Sequence, residues 1–511
     1  MTNQILIGCD VGTSSTKAVA VDLNGKIIAQ GTKSYGIIQK ENNWAEQDPQ
    51  VWMDAVISSI QQITEQIDES KVVGICLSAL YGGTGVLCDE KMESIRPALI
   101  WMDRRAEQET EWLKETIGEQ AIVDISGNGI DSYFGYTKLL WVKKHETENW
   151  KKIKCILPIH SYLIYKMTGS LTIDYSAAGN LGGIYDYKNG IWSEKMCEAM
   201  GIPIELLPTT FVKPDEVVGT LNEKFQSRLG FSHPVPICGG TVDCIASMLS
   251  AAVVEPGDNA AVLGTSLNWG FVHNTIPNDP NLVSMPYCIH ATEWNYTYGG
   301  ASTAGALPRW FVKNFIGEES AEVYEQLERE IAERAIGPGS NGLVMLPYFM
   351  GERTPIWDEN ATGVLFGLSL SHTKADMYRA LLESVAYSLR HIMESMVQEK
   401  KAVKKIVLVG GGSKSLLWQQ IFADVTGIEV YTPKNPIEAP LGDAYMAGVG
   451  LGLLADYKKM KDWIPFNEPV LPDEKAHEKY DGYYQLYKEL YQNLKDTMKK
   501  RTELISDKWS I

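Results

Sequence analysis

Cysteine pairs at metal-finger or redox spacing are missing from this chain, although it contains eight cysteines. They stand singly at positions 9, 76, 88, 155, 197, 238, 244 and 288, and the 8 histidines are equally dispersed. That scatter excludes a zinc finger and a C-x-x-C redox motif, and it fits free thiols in a reducing cytoplasm. Apolar runs of membrane-spanning length are also missing. The start, Met1-Thr-Asn-Gln-Ile-Leu-Ile-Gly, lacks the basic stretch and apolar core of a secretory signal. Basic charge is in deficit: 47 Lys+Arg against 64 Asp+Glu leave a net charge of −17. Such a surface repels nucleic acid and anionic membranes, so neither is an expected partner. It does not exclude a phosphate ligand, which backbone N–H groups and a metal ion hold locally. Two nucleotide fingerprints are absent as well. Lys17 is not spaced as a Walker lysine, and the glycines at 410–412 run G-G-G-S, not G-x-G-x-x-G.

What is present is ordinary globular material: 44% hydrophobic and 22% charged residues over 511 positions, enough for two large domains. Ile5-Leu-Ile-Gly-Cys, Thr16 to Asp22 and Lys26-Ile-Ile-Ala-Gln read as three strands, the last two joined at Asn24-Gly25. Asp48-Pro49 opens an amphipathic helix through Trp52, Ala55, Val56 and Ile63, and Lys71 to Ser78 returns to strand. Interleaved strands and helices indicate an α/β protein. Half a chain later, Asp258 to Val272 repeats the opening pattern of strand, Gly-Thr-Ser turn and strand. Val254-Glu-Pro-Gly-Asp258 lies just before this second copy, which predicts domains at 1–254 and 255–511. The tail from about Asp473 carries Tyr480, Tyr483, Tyr484, Tyr487 and Tyr491, the aromatic face of a packed helix.

Four segments could carry chemistry. In Asp10-x-Gly12-Thr13-Ser14-Ser15-Thr16-Lys17, glycine allows close approach to a polyanion, and a strand-end carboxylate suits a hydrated Mg²⁺. Gly264-Thr265-Ser266 is the matching turn of the repeat. Val407 to Ser415 is strand, glycine turn and helix start, open to a phosphate or a flat ring, although any tight strand-to-helix turn wants glycine. In Gly239-Gly240-Thr-Val-Asp243, a carboxylate at a helix start could take the proton of an attacking hydroxyl. Asp is equally at home there as a simple N-cap.

Taken in order, Asp10-x-Gly-Thr-Ser-Ser-Thr-Lys, Trp44-Ala-Glu-Gln-Asp-Pro, Trp101-x-Asp103-x-Arg105, Gly239-Gly-x-x-Asp243, Gly264-Thr-Ser and Gly410-Gly-Gly-Ser resemble the FGGY carbohydrate kinases, most of all the xylulokinase-type members. The resemblance implies two actin/hexokinase-like (ribonuclease H-like) α/β domains with a cleft between them. It implies ATP and Mg²⁺ as cofactors and a small sugar or polyol as substrate, and it admits a homodimer. Carried over, it makes Asp243 the catalytic base and places Asp10 at the metal. Thr13, Ser14, Gly264 and Thr265 would meet the nucleotide phosphates, with Gly300 on the same side, and Gly410, Gly411 and Ser415 would border adenine and ribose. Leu80, Tyr81, Trp101 and Asp103 would face the sugar. One departure stands out: Tyr81 falls where xylulokinase-type members carry a sugar-contacting histidine. A ketopentose such as D-xylulose, another polyol such as erythritol, ribulose, or an aldonate such as gluconate all stay open, the last because of Arg104-Arg105. An actin- or chaperone-like ATPase is the alternative of another class.

Overall fold

The computed structural model describes residues 4–397, 403–435 and 439–506. Two compact units are distinguished. The first comprises Met1–Pro256, Val272–Thr297 and Ile437–Pro465; the second comprises Gly257–Phe271, Tyr298–Pro436 and Phe466–Ile511.

In the first unit, β1 (Ile5–Val11), β2 (Ser15–Asp22) and β3 (Ile27–Ser34) form an antiparallel meander. Its β2–β3 turn closes at Asn24-Gly25, where Gly25 N–H donates to the Asp22 carbonyl. β4 (Val72–Ala79) lies parallel to β1 on the other side. β5 (Ile173–Asp174) stands apart from this sheet. The sheet continues outward with β6 (Val217–Thr220) at its edge and β7 (Pro236–Cys238) inside it, while the short β8 (Thr241–Val242) also pairs with β4. Strand β1 is apolar because both its faces are covered. α1 (Pro49–Thr64) buries Trp52, Val56, Ile60 and Ile63, and Asp48 caps it by accepting from Gln50 N–H. That is where Asp-Pro should start a helix.

The other face receives α9 (Ala439–Gly450). A Cβ at Gly8 would lie 1.7 Å from the Pro440 carbonyl oxygen and 2.6 Å from Ala444 N, so only glycine admits this backbone-to-backbone contact. This packing groups Ile437–Pro465 with the first unit, whereas a linear division after Val254 runs these residues with the second.

The second unit repeats the plan. β9 (Asn259–Leu263) and β10 (Leu267–His273) form an antiparallel hairpin, with β11 (Asn295–Ala301) beyond β10. β12 (Lys405–Val409) and β13 (Glu429–Tyr431) add in parallel on the β9 side. The two hairpin turns close alike: Gly12 N–H donates to the Ser15 carbonyl and Gly264 N–H to the Ser266 carbonyl, both at 3.0 Å. The core gathers around α7 (Lys374–Met396), α8 (Leu416–Thr426) and α10 (Glu474–Ser506). Tyr480, Tyr484, Tyr487 and Tyr491 of α10 are buried. Their hydroxyls donate to Glu383 and Glu394 or reach Tyr348, Ser388 and Asp358, so each buried phenol keeps a partner.

Candidate active site

In the first unit, Asp10 ends β1 beside Ser78 of β4, its register partner. Ser78 Oγ lies 3.2 Å from Asp10 Oδ1 and 2.8 Å from Asp443 Oδ2. A hydroxyl has one proton and cannot donate to two carboxylates. Asp443, on α9, is fully buried, and burial together with the Asp10 charge pushes its carboxyl well above the usual carboxylate range. A neutral Asp443 solves the count: its O–H donates to Ser78, and Ser78 donates to Asp10.

The turn after β1 is held from several sides. Tyr35 O–H donates to the Gly12 carbonyl (2.6 Å), Gln47 Nε2 to the Thr13 carbonyl (2.8 Å), and Trp101 Nε1 to Thr13 Oγ1 (3.0 Å). Ser14 is exposed at the tip. The structure thus joins Thr13 to Trp101, which stays 39% exposed.

Asp243 begins α5 (Asp243–Ser250) directly after β8. It stands one residue inside the helix, with Val242 at the cap position, and its carboxylate accepts the adjacent Cys244 N–H (2.7 Å). The capping reading therefore falls away. Burial pushes the Asp243 carboxyl up to about 6, against the downward pull of the Cys244 N–H and of His160. Such a value suits a group that must accept a proton near neutral pH.

Two of the residues expected at the sugar have their side chains engaged within the unit. Asp103 is fully buried, and both its oxygens receive Arg105, with Ala45 N–H on Oδ2 (2.7 Å). Arg105 also reaches Glu46 (3.0 Å) and stacks on Trp44 at 3.6 Å. Asp103 is thus consumed by a buried ion pair. Leu80 packs in the apolar core of the unit. Tyr81 is also buried, yet its hydroxyl has no hydrogen-bond partner among the described residues. Next to it, Gly82 faces the Tyr133 ring, and fully buried Lys138 donates to the carbonyls of Gly82 (2.8 Å) and Tyr133. Arg104 is engaged by Asp131 and Ser132.

In the second unit, Gly264 and Thr265 are exposed at the β9–β10 turn. Arg309, on α6 (Ala306–Phe315), donates to Thr265 Oγ1 at 3.0 Å. Gly305 N–H donates to the Gly264 carbonyl (2.8 Å), and a Cβ there would stand 2.5 Å from that oxygen. Gly300 is elsewhere: it is buried, hemmed in by Asn268, the Leu267 carbonyl and Arg353. Gly305 and Arg309 are therefore the neighbours of the Gly264-Thr265 turn that the sequence reading missed, and a second glycine five residues on was the available signal. Gly410 (φ +98°) turns the chain after β12, and Gly411 has open space where a side chain would be. Ser415 caps α8 through Trp418 N–H and donates to Glu328, so its hydroxyl is already engaged.

Both halves of the chain match a described family. Residues 5–250 match the N-terminal domain, and residues 259–451 the C-terminal domain, of the FGGY family of carbohydrate kinases. The chain belongs to that family and is a carbohydrate kinase, a phosphotransferase with the two-domain α/β fold expected of it. It is 28% identical to the xylulose kinase of Staphylococcus xylosus over 491 residues, covering 95% of this chain and 99% of that one. It is 27% identical to the gluconokinase of Bacillus subtilis over 490 residues, 93% of each chain. The xylulose kinase structure from Rhodospirillum rubrum superposes with a TM-score of 0.90 at 28% identity, covering 97% of this chain and all of that one.

Proposed function

We propose that this kinase phosphorylates a hydroxyl of a neutral ketopentose, D-xylulose in the first instance, with Asp243 as base. The observation that carries the base role is a carboxylate at the start of α5 whose pKa burial raises to about 6. Asp243 accepts the hydroxyl proton as the oxygen attacks, so that charge does not build on the acceptor. Thr265 and Arg309 hold phosphate oxygens of ATP, and the close Gly264–Gly305 contact keeps that turn rigid. Thr13 and Ser14 offer further hydroxyls, while Gly411, with open space where a side chain would stand, leaves room for the nucleoside. Asp10 suits Mg²⁺: among the described residues no group of three or more His, Cys, Asp or Glu gathers to hold a metal, and Mg²⁺ takes few carboxylates and keeps its waters. When bound, the ion neutralises phosphate charge.

A neutral substrate is favoured over an aldonate because the cations of the first unit near Tyr81 and Trp101 are engaged. Arg104, Arg105 and Lys138 all have partners, while Asp10 and Asp243 contribute negative charge. The Tyr81 hydroxyl, buried and unpartnered, is the group we assign to a sugar hydroxyl. The enzyme works in the cytoplasm, a reading supported by eight cysteines without a disulfide. Among the described residues no helix is long and apolar enough to cross a membrane. The deciding experiment is an ADP-release screen over ketoses, aldonates and polyols with product identification. D-xylulose should lead; ATP turnover indifferent to every sugar would leave an ATPase, and gluconate in the lead would overturn the neutral-substrate assignment.

A further inference from the structure

Behind Asp243 lies a buried polar cluster that the proposed reaction does not use. Asp174 ends β5 and is the N-cap of α4 (Tyr175–Leu181), its Oδ2 accepting from Ser176 N–H (2.9 Å) and Ala177 N–H (3.3 Å). The same oxygen accepts from Thr241 Oγ1 at 3.4 Å. Its other oxygen is 2.7 Å from His160 Nε2, on α3 (Ile159–Thr168). His160, Asp174 and Thr241 are all fully buried. One carboxylate therefore ties three elements together, and Thr241 is the strand residue two positions before Asp243. The ring of His160 sits tight on the same strand: a Cβ at Gly240 would lie 3.3 Å from His160 Cδ2. His160 Nδ1 is buried and has no hydrogen-bond partner among the described residues.

We propose that Asp174 and His160 are positioning residues for the base, clamping the strand end that carries Asp243. This rests on Asp243 being the base. The groups that act on Asp243, or are acted on by it, are His160 from α3, Asp443 from α9, Tyr35 after β3 and Cys244 beside it on α5. Of these, His160 is the one that opposes the burial that makes Asp243 a weak acid. Asp174 accepts from the imidazole and so fixes the ring in place, as a carboxylate orients a histidine in other buried pairs. A base displaced by a fraction of an ångström loses its line to the hydroxyl proton.

The test is a kinetic comparison of H160Q, T241V and D243N in the full-length enzyme. H160Q removes the imidazole and keeps an N–H for Asp174. It should lower kcat about 10- to 100-fold with the KM for ATP unchanged. It should also move the acidic limb of kcat/KM for the sugar, expected near pH 6, to higher pH. T241V removes only the hydroxyl tie, so kcat should fall several-fold while the acidic limb stays in place. A folded H160Q with wild-type kcat and an unmoved limb overturns the proposal, as does T241V at wild-type kcat if H160Q does not fold. D243N separates the two ideas: an active D243N removes the base reading itself. An inactive D243N beside normal H160Q and T241V removes only the positioning pair.

Discussion

Replacing Asp243 by Asn should make the protein more stable while abolishing its work. The carboxyl is held at about 6 in the folded chain, against an ordinary value near 4 when unfolded. The folded state thus binds this proton more tightly than the unfolded state does. Its contribution to stability is fully present below about pH 4 and is lost as pH rises through about 6. Working the linkage through, the ionised group costs about 3 kcal/mol at pH 8 and roughly half of that at pH 5. Asparagine is neutral throughout and still offers Cys244 N–H an acceptor oxygen. D243N without nucleotide should therefore melt a few degrees higher than the parent at pH 8, by about 1–2 °C per kcal/mol realised for a chain of this size. The gap should shrink at pH 5 and close near pH 4. In parallel, kcat should drop about 10²- to 10⁴-fold, the usual contribution of a general base. Calorimetry at the three pH values and a coupled ADP assay suffice. A D243N that is less stable than the parent at pH 8 would refute the burial cost, and one that retains kcat would refute the base.

Three further changes probe the two surfaces. R309Q should raise the KM for ATP about 10-fold, the worth of one charged hydrogen bond, and leave the KM for the sugar and the melting temperature alone; an unchanged KM for ATP in initial-rate assays would disconnect Arg309 from the phosphates. D103N should cost about 3 kcal/mol in urea denaturation, because it breaks a buried ion pair, while the folded enzyme keeps its KM for the sugar. Unchanged stability with a raised sugar KM would restore Asp103 to the sugar. D443N should keep kcat within about three-fold, since an amide N–H can serve Ser78 as the neutral carboxyl does, and should be more stable at pH 8. Loss of stability at that pH would mean that Asp443 is ionised.

The parts of the fold that were legible in the sequence depend on neighbours along the chain. The β1–β2–β3 meander, the Asp48-Pro49 helix start and the tyrosine face of α10 all follow from spacing within a dozen residues. The repeated hairpin was legible for the same reason, since both copies close through a glycine N–H in the turn. α9 was not. Apart from Asp443 its residues are small or apolar all round, so no stripe says which sheet they cover. The deciding fact is that Gly8, more than four hundred residues earlier, has no side chain in the way.

The site divides along the same line. Asp10, Asp243, Thr13 and Thr265 stand at strand ends or turn tips, where a motif read locally also fixes the direction of the side chain. Asp103 stood in a motif too, yet its carboxylate is decided by Arg105, Glu46 and Ala45, which meet it only after folding. Gly300 and Gly305 look alike on the chain, and only Gly305 abuts the Gly264-Thr265 turn. The charge state of Asp443 was the least legible of all, because it follows from a proton count. One serine hydroxyl between two carboxylates leaves a proton to be found, and the carboxyl with no solvent must keep it. That neutral acid frees the Ser78 proton for Asp10, the carboxylate proposed for the metal.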